Sequence, residues 1–300
     1  MKSISMKIYM SVFALLLTVS ALAATTFAWF TLGNTAQVNS FEGDVYAGEG
    51  LEVRLIDKNG DPFTPWSSYI ASTDIQDLID DNGFVKFKAV TTEDTTSFTT
   101  VLIDNGSVTD GSAAHTDYIK FTLEFRTKQT EAELLWTKAT LSGNNVTWVN
   151  DGKPFIDAKG VEVKTNDPVT ENVANAARIA VVSDTTVLGY ELPEENNNVQ
   201  DKGTALVGAH SFIKSRYQDI ETDYNDAYNS AELVGTENVN TTNPKVVEFG
   251  DTLENDGYVY VTLDVFVWIE GWDANTYNPI LGQTLTASLE FELSAKKIEN

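Results

Sequence analysis

The chain has 300 residues, of which 42% are hydrophobic, and this is enough apolar material for a packed core. Its net charge of −24 argues against nucleic acid or an anionic membrane surface as a partner, because both attract basic patches. It contains no cysteine, which excludes disulfides, thiolate catalysis and cysteine-ligated zinc.

The first 28 residues have the three parts of a secretory signal peptide, here expected to form a signal helix. Two lysines form the basic n-region, and an apolar stretch follows over residues 8–24. Small residues allow cleavage after Ala28 or, alternatively, after Ala23. We therefore predict removal of residues 1–28 and a secreted protein, extracellular or on the cell surface. An uncleaved membrane anchor is the alternative, because the apolar run approaches the length of a membrane span.

The junction at the end of this leader has a distinctive aromatic sequence. Residues 24–31 read Ala-Thr-Thr-Phe-Ala-Trp-Phe-Thr, and an Ala-Gly step follows at 47–48. This segment resembles the leaders of substrates of the SipW-type signal peptidase in Firmicutes, a group that includes TasA-like biofilm fibre proteins and camelysin-like proteins. The resemblance implies cleavage near Ala28 by a SipW-type signal peptidase, with the membrane involved only through the leader before cleavage.

The same resemblance implies a structural role. Subunits in the TasA-like group can join by donating an N-terminal strand to the sheet of the next subunit, a form of β-augmentation. The corresponding donor here is the segment 29–41, in which Trp29, Phe30, Val38 and Phe41 would fill the pockets. The implied partners are further copies of the chain or other surface and matrix proteins.

Alternating apolar and polar residues dominate the remainder of the chain and predict β-strands. The clearest examples are residues 119–126, 258–270 and 285–293, and such alternation is typical of antiparallel sheets with one wet face. Further strands are predicted at 37–46, 50–56, 84–91, 97–104, 132–141, 145–149 and 173–183. Asn-Gly and Asp-Gly pairs, which suit turns with positive φ, occur at 59–60, 82–83, 105–106, 151–152 and 256–257.

Two segments have a helical period instead. Residues 66–80 predict a short helix, and residues 211–233 predict a longer one inside an insertion predicted at 191–245. We expect this insertion or a neighbouring subunit to cover the aromatic face of strand 258–270. No repeat or linker divides the mature chain, so we predict one domain over 29–300. The predicted fold is mainly β, an antiparallel β-sandwich or jelly roll with helical and loop insertions.

The chain lacks the common catalytic motifs. His115 and His210 are its two histidines, and neither belongs to a His-Glu-x-x-His sequence, so a camelysin-like metallopeptidase is the weakest alternative. Nucleophile-elbow and phosphate-loop motifs are also missing, and we predict that the protein is not an enzyme. The run Asp57-Lys58-Asn59-Gly60-Asp61 resembles the start of a calcium loop but lacks the later acid. We interpret it as a hairpin turn, and calcium is the one cofactor left open.

The segment 268–275 is the most distinctive one after the leader. In one interpretation Glu270 and Asp273 bind a cation while Trp268 and Trp272 stack on a sugar. In the other, which we favour, Gly271 makes a tight turn and the indoles are buried. The first interpretation would make the protein a secreted carbohydrate- or cation-binding module. That is our alternative to a structural surface or matrix protein.

Overall fold

The protein is mainly β in the part of the chain that its computed structural model describes, namely residues 40–84, 86–92, 95, 97–104, 107–150, 154–156, 161–192, 239–271, 273, 275–276, 280 and 282–294. In chain order, the strands are β1 (Ser40–Ala47), β2 (Leu51–Ile56), β3 (Tyr69–Ile70), β4 (Ala89–Thr92), β5 (Phe98–Asp104), β6 (Ser107–Ser112), β7 (Ile119–Thr127), β8 (Glu133–Gly143), β9 (Asn145–Val149), β10 (Phe155–Ile156), β11 (Glu162–Val163), β12 (Pro168–Asn172), β13 (Ala177–Val182), β14 (Val187–Tyr190), β15 (Lys245–Glu248), β16 (Val259–Glu270) and β17 (Thr284–Ser294). The helical elements of this part are α1 (Ser72–Asp81), the one-turn α2 (Val239–Thr242) and a 3-10 turn at Val173–Asn175.

The smaller of the two main sheets has five strands in the order β15-β8-β17-β1-β3. Strand β1 runs parallel to β17 along its whole length, with Ser40 beside Thr284 and Ala47 beside Phe291. The sequence-based expectation of purely antiparallel pairing is therefore wrong at this position. Parallel neighbours need a long connection, and here almost the whole chain lies between the two strands.

The larger sheet has eight strands and is centred on β16. Strand β16 pairs antiparallel with β13 along one edge and with β7 along the other, and β2 pairs with β7. Past the first residue of β7, Ile269 and Glu270 pair in parallel with β4, which pairs with β5, and β5 pairs with β6. Strands β9 and β12 form a separate two-stranded sheet, and so do β10 and β11.

One hydrophobic core contains inward-facing residues from both main sheets. Phe125 of β7 and Phe291 of β17 meet in it with their ring centres 5.0 Å apart. The predicted alternation is confirmed on all three of the clearest strands, since their apolar positions are buried or half-buried. These positions include Ile119, Phe121, Leu123, Phe125, Val259, Leu263, Val265, Val267, Ile269, Leu285, Ala287, Leu289 and Phe291.

The helical prediction for residues 66–80 is confirmed only from Ser72 onward. Helix α1 begins at Ser72, because the residues before it pair with strands instead. The backbone of Ser67 pairs with Val53 of β2, and β3 pairs with β1. The helix ends at Asp81 with Asn82 as its C-cap, and Gly83 follows with a φ of 82° that glycine tolerates, so this Asn-Gly pair terminates a helix.

The strands predicted at 84–91 and 173–183 begin too early. Residues 173–175 form the 3-10 turn, because the Asn172 side chain accepts a hydrogen bond from the Ala174 N–H and caps the turn. Strand β4 begins only at Ala89.

The positive-φ turns are confirmed at Gly60 and Gly257. The pairs at 105–106 and 151–152, and the predicted helix 211–233, lie outside the described residues.

The aromatic face of β16 is covered in part by other strands of its own sheet. Phe98 of β5 lies 5.7 Å from Phe266 and 5.5 Å from Trp268, measured between ring centres. Tyr118 stacks on Phe98 at 4.0 Å. The prediction that the insertion at 191–245 also covers this face is not tested, because residues 193–238 lie outside the described residues.

Candidate functional site

Most residues of the predicted N-terminal donor segment lie outside the described part of the chain. This applies to Trp29, Phe30 and Val38, as well as to the cleavage positions Ala23 and Ala28. Phe41 is described, and it is a core residue with 2% of its surface exposed. Its ring lies across Gly43, where an added Cβ would come within 2.5 Å of the Phe41 ring. Phe41 is therefore engaged in the core of its own subunit.

The second predicted site lies where β16 ends. Trp268 is fully buried, and its indole N–H donates a hydrogen bond to Glu270 Oε2 at 3.1 Å. Glu270 and Asp273 are each 1% exposed, and Trp272 lies outside the described residues. A sugar would therefore have to displace Phe98, whose ring centre lies 5.5 Å from that of Trp268, before it could stack on Trp268.

The carboxylates at this end of β16 surround a buried guanidinium group. Arg178 of β13 is opposite Trp268 in the β13–β16 register, and it is 1% exposed. Its Nη2 donates a hydrogen bond to Asp273 Oδ2 at 2.5 Å. Its Nε lies 2.7 Å from Glu191 Oε2, an ion pair by distance although the N–H is not aligned for a hydrogen bond. The Arg178 side chain also donates to the backbone oxygen of Ala177 at 3.0 Å.

The electrostatic balance keeps this guanidinium charged. Burial by itself disfavours the charged form, but Glu191, Asp273 and Glu270 outweigh it and raise the pKa of Arg178 above its usual value. A buried cation with several carboxylates around it is an ion cluster in which each charge depends on the others. We name the group formed by Arg178, Glu191, Glu270 and Asp273 the buried ion cluster.

The loop after β16 is folded around the same carboxylates. Asp273 Oδ1 accepts hydrogen bonds from the backbone and side-chain nitrogens of Asn275, at 2.8 and 2.9 Å. Thr276 Oγ1 donates to the Glu270 carbonyl oxygen at 2.6 Å. Both Asp273 oxygens are thus occupied by protein donors, and Arg178 supplies the positive charge next to this carboxylate. In the described ranges, no group of three or more His, Cys, Asp or Glu side chains is arranged to hold a metal ion.

Sequence reasoning identified two members of the buried ion cluster but missed Arg178 and Glu191. The available signal was the arginine itself, which interrupts an apolar strand between Ala177 and Ile179. A strand that is buried on both faces tolerates an arginine only when carboxylates meet it. The sequence does not show which carboxylates these are, because Asp273 is 95 positions away along the chain.

The calcium-like run at 57–61 is a hairpin turn, as the sequence indicated. The Asp57 N–H donates to the Asp61 carbonyl oxygen at 2.9 Å. The Asp57 carboxylate accepts the backbone N–H groups of Asn59 and Asp61 through Oδ1, at 2.8 Å each. The N–H of Asp61, supported by the donors of Asn59, holds the pKa of Asp57 below its usual 3.8.

We expect the Asp57→Ala variant to have a lower urea midpoint than the wild type at neutral pH. Because the pKa of Asp57 is lowered in the folded state, its stabilisation is present above about pH 3.8 and is lost as the pH falls through the folded pKa. The gap between the two proteins should therefore narrow in strong acid. Asp57→Asn is the matched control, since it keeps an acceptor oxygen without the titratable charge. Equal pH dependence of all three proteins would contradict this account.

No protein family, curated protein or solved structure matches this chain. The resemblance to SipW-type substrates therefore remains a prediction from the leader sequence. Among the described residues, no helix is both long and apolar enough to cross a membrane. His115 is exposed in the turn before β7, and His210 lies outside the described residues.

Proposed function

We propose that the protein is an exported structural component of a cell surface or extracellular matrix, built on a β-sandwich whose two main sheets enclose one core. Its acidic charge of −24 suits a soluble extracellular protein. The mainly-β fold and the shared core are compatible with this role. Leader removal by a SipW-type peptidase would deliver the chain to the outside.

The observation that carries an assembly role is the edge of β1. This strand pairs with β17 along all of its length, but on its other side β3 meets only Val45 and Tyr46. Within the described chain, no strand pairs with the outer edge of Ser40–Asp44. A strand edge with unpaired N–H and C=O groups accepts an added strand from another chain. The segment 29–39, which directly precedes β1, is the proposed donor, because Phe41 is held in its own core.

The test compares the mature chain beginning at Trp29 with a variant that lacks residues 29–39. This deletion leaves β1 complete, so a folding defect should not mask an assembly defect. We expect the mature chain to form fibres visible by negative-stain microscopy, and the shortened chain to remain monomeric with an unchanged circular dichroism spectrum. N-terminal sequencing of secreted material tests cleavage after Ala28 in the same sample. A mature chain that stays monomeric in every condition, like its deletion variant, would overturn the proposal.

A further inference from the structure

The outer face of β16 is buried at its C-terminal end and partly exposed to solvent at its N-terminal end. At the buried end, Phe266 and Trp268 are covered by Phe98 and Tyr118. At the partly exposed end, Tyr258 and Tyr260 are half-buried and remain in contact with solvent. A group of aromatic side chains exposed to water on a sheet face often marks a binding surface, so we asked what this group could bind.

The partly exposed end is organised by stacked cations and rings. Trp66 comes from the segment that returns along β2 after the hairpin, and its ring centre is 4.3 Å from the Cζ of Arg54 and 4.3 Å from that of Arg126. Arg126 Cζ is also 4.1 Å from the centre of the Tyr258 ring. Trp66 and Tyr260 lie 5.7 Å apart, measured between ring centres. We name the surface formed by Trp66, Tyr258 and Tyr260 the aromatic platform.

Ion pairs hold the cations beneath the platform in place. Arg54 Nε donates to Glu124 Oε2 at 2.6 Å, and Arg126 Nε donates to Glu52 Oε2 at 2.7 Å. The Tyr260 hydroxyl donates to the carboxylate of Asp256. Each ring of the platform is thus fixed by a cation, a carboxylate or a neighbouring ring, so little side-chain entropy would be lost when a ligand stacks on it.

The charged side chains in contact at and beside the platform are balanced in sign. The ion pairs, hydrogen bonds and cation–ring contacts of this face involve four cations and four carboxylates, namely Arg54, Arg126, Lys120, Lys128, Glu52, Glu124, Asp256 and Asp264. This local neutrality contrasts with the net charge of −24 for the whole chain. An anionic or cationic ligand would gain no net attraction here. A neutral ligand with many hydroxyl groups would find both donors and acceptors at the edge of the rings.

We propose that the aromatic platform binds a neutral glycan. The apolar C–H face of a sugar ring would stack on the solvent-accessible parts of Trp66 and Tyr258, which are half-buried, while its hydroxyl groups exchange hydrogen bonds with the paired guanidinium and carboxylate groups around them. This site differs from the Trp268–Asp273 segment, which one interpretation of the sequence made a ligand site. It adds a binding activity to the proposed structural role and does not depend on that role.

The experiment titrates the purified full-length chain with maltohexaose, cellohexaose and chitohexaose by calorimetry. We expect one of these neutral hexasaccharides to bind, and Trp66→Ala to weaken its affinity at least about tenfold, within the range for loss of a buried aromatic contact. Tyr258→Ala should weaken it several-fold, and Trp66→Phe should retain part of it. Tyr69→Ala is the matched control, because Tyr69 is an exposed tyrosine of the other sheet, at 40% exposure, and should change nothing.

Each other outcome would overturn the proposal. The proposal is wrong if none of the three hexasaccharides binds at millimolar concentration. It is also wrong if the wild type and Trp66→Ala bind the glycan with equal affinity. Binding of a uronate hexasaccharide in preference to the neutral ones would show an anion site. Loss of fibre assembly in Trp66→Ala with glycan affinity unchanged would assign the platform to contacts between copies. If Trp66→Ala fails to fold by circular dichroism, Tyr258→Ala and Trp66→Leu decide the question with the same criteria.

Discussion

We expect the Arg178→Met variant to lose about 3–5 kcal/mol of unfolding free energy, the usual cost of removing one partner from a buried ion pair. Arg178 is 1% exposed, and methionine replaces its volume but not its charge. The loss arises because Asp273 and Glu270 remain buried without the cation that balances them. Urea unfolding followed by circular dichroism at neutral pH measures the change.

Lys138→Met is the matched control for this prediction. Lys138 also forms an ion pair, 2.8 Å from Glu290, but its side chain is 50% exposed. Exposed ion pairs contribute at most about 1 kcal/mol, so the control should be nearly neutral. The double variant Arg178→Met with Asp273→Asn should recover part of the loss, since it removes one uncompensated charge. If Arg178→Met costs no more than Lys138→Met, the buried ion cluster does not stabilise the fold.

We expect Phe125→Ala to lower the unfolding free energy by about 3–5 kcal/mol, the range for a large aromatic removed from a packed core. Phe125 is fully buried and belongs to the eight-stranded sheet, whereas its neighbour Phe291 belongs to the five-stranded sheet. Their edge-to-face contact adds a coupling energy of about 0.5–1.5 kcal/mol in a double-mutant cycle. Equilibrium urea unfolding of the two single variants and the double variant provides the measurement.

This cycle also tests the proposed sandwich architecture. A measurable coupling between Phe125 and Phe291 requires that the two sheets pack against each other. Leu253→Ala is the control for truncation itself, because Leu253 is 45% exposed and its loss should be nearly neutral. Additive effects of the two phenylalanine substitutions would argue against face-to-face packing of the sheets.

The two proposed activities use different surfaces of the molecule. Strand assembly would use the open edge of β1 in the five-stranded sheet, whereas glycan binding would use the outer face of β2, β7 and β16 in the eight-stranded sheet. Deletion of residues 29–39 should therefore abolish assembly and spare glycan binding, and Trp66→Ala should have the reverse effect. A matrix protein with both properties would link its own polymer to a polysaccharide.

The strands are predictable from sequence because their signal is local. The period-two alternation in 119–126, 258–270 and 285–293 places apolar residues on one face of a strand, whatever that strand pairs with. The hairpin at 57–61 is predictable for the same reason, since a short acidic side chain caps its own turn. The acidic charge and the lack of cysteine likewise exclude whole classes of function, because they depend on composition and not on the fold.

Strand partners and burial of charge depend on the tertiary structure. Nothing local in β1 specifies that it lies parallel to β17 at the other end of the chain, because register is decided by which apolar faces meet in the core. The same contacts turn Asp273 toward Arg178 and cover Trp268, which decides between the buried turn and the open ligand site that the sequence left as alternatives. They also bring Trp66 over Arg126, a distant residue of β7, to form a platform that no sequence pattern indicates. Sequence periodicity determines which side of a strand is apolar, and only the packing of distant strands decides which polar groups are paired, buried or left at the surface.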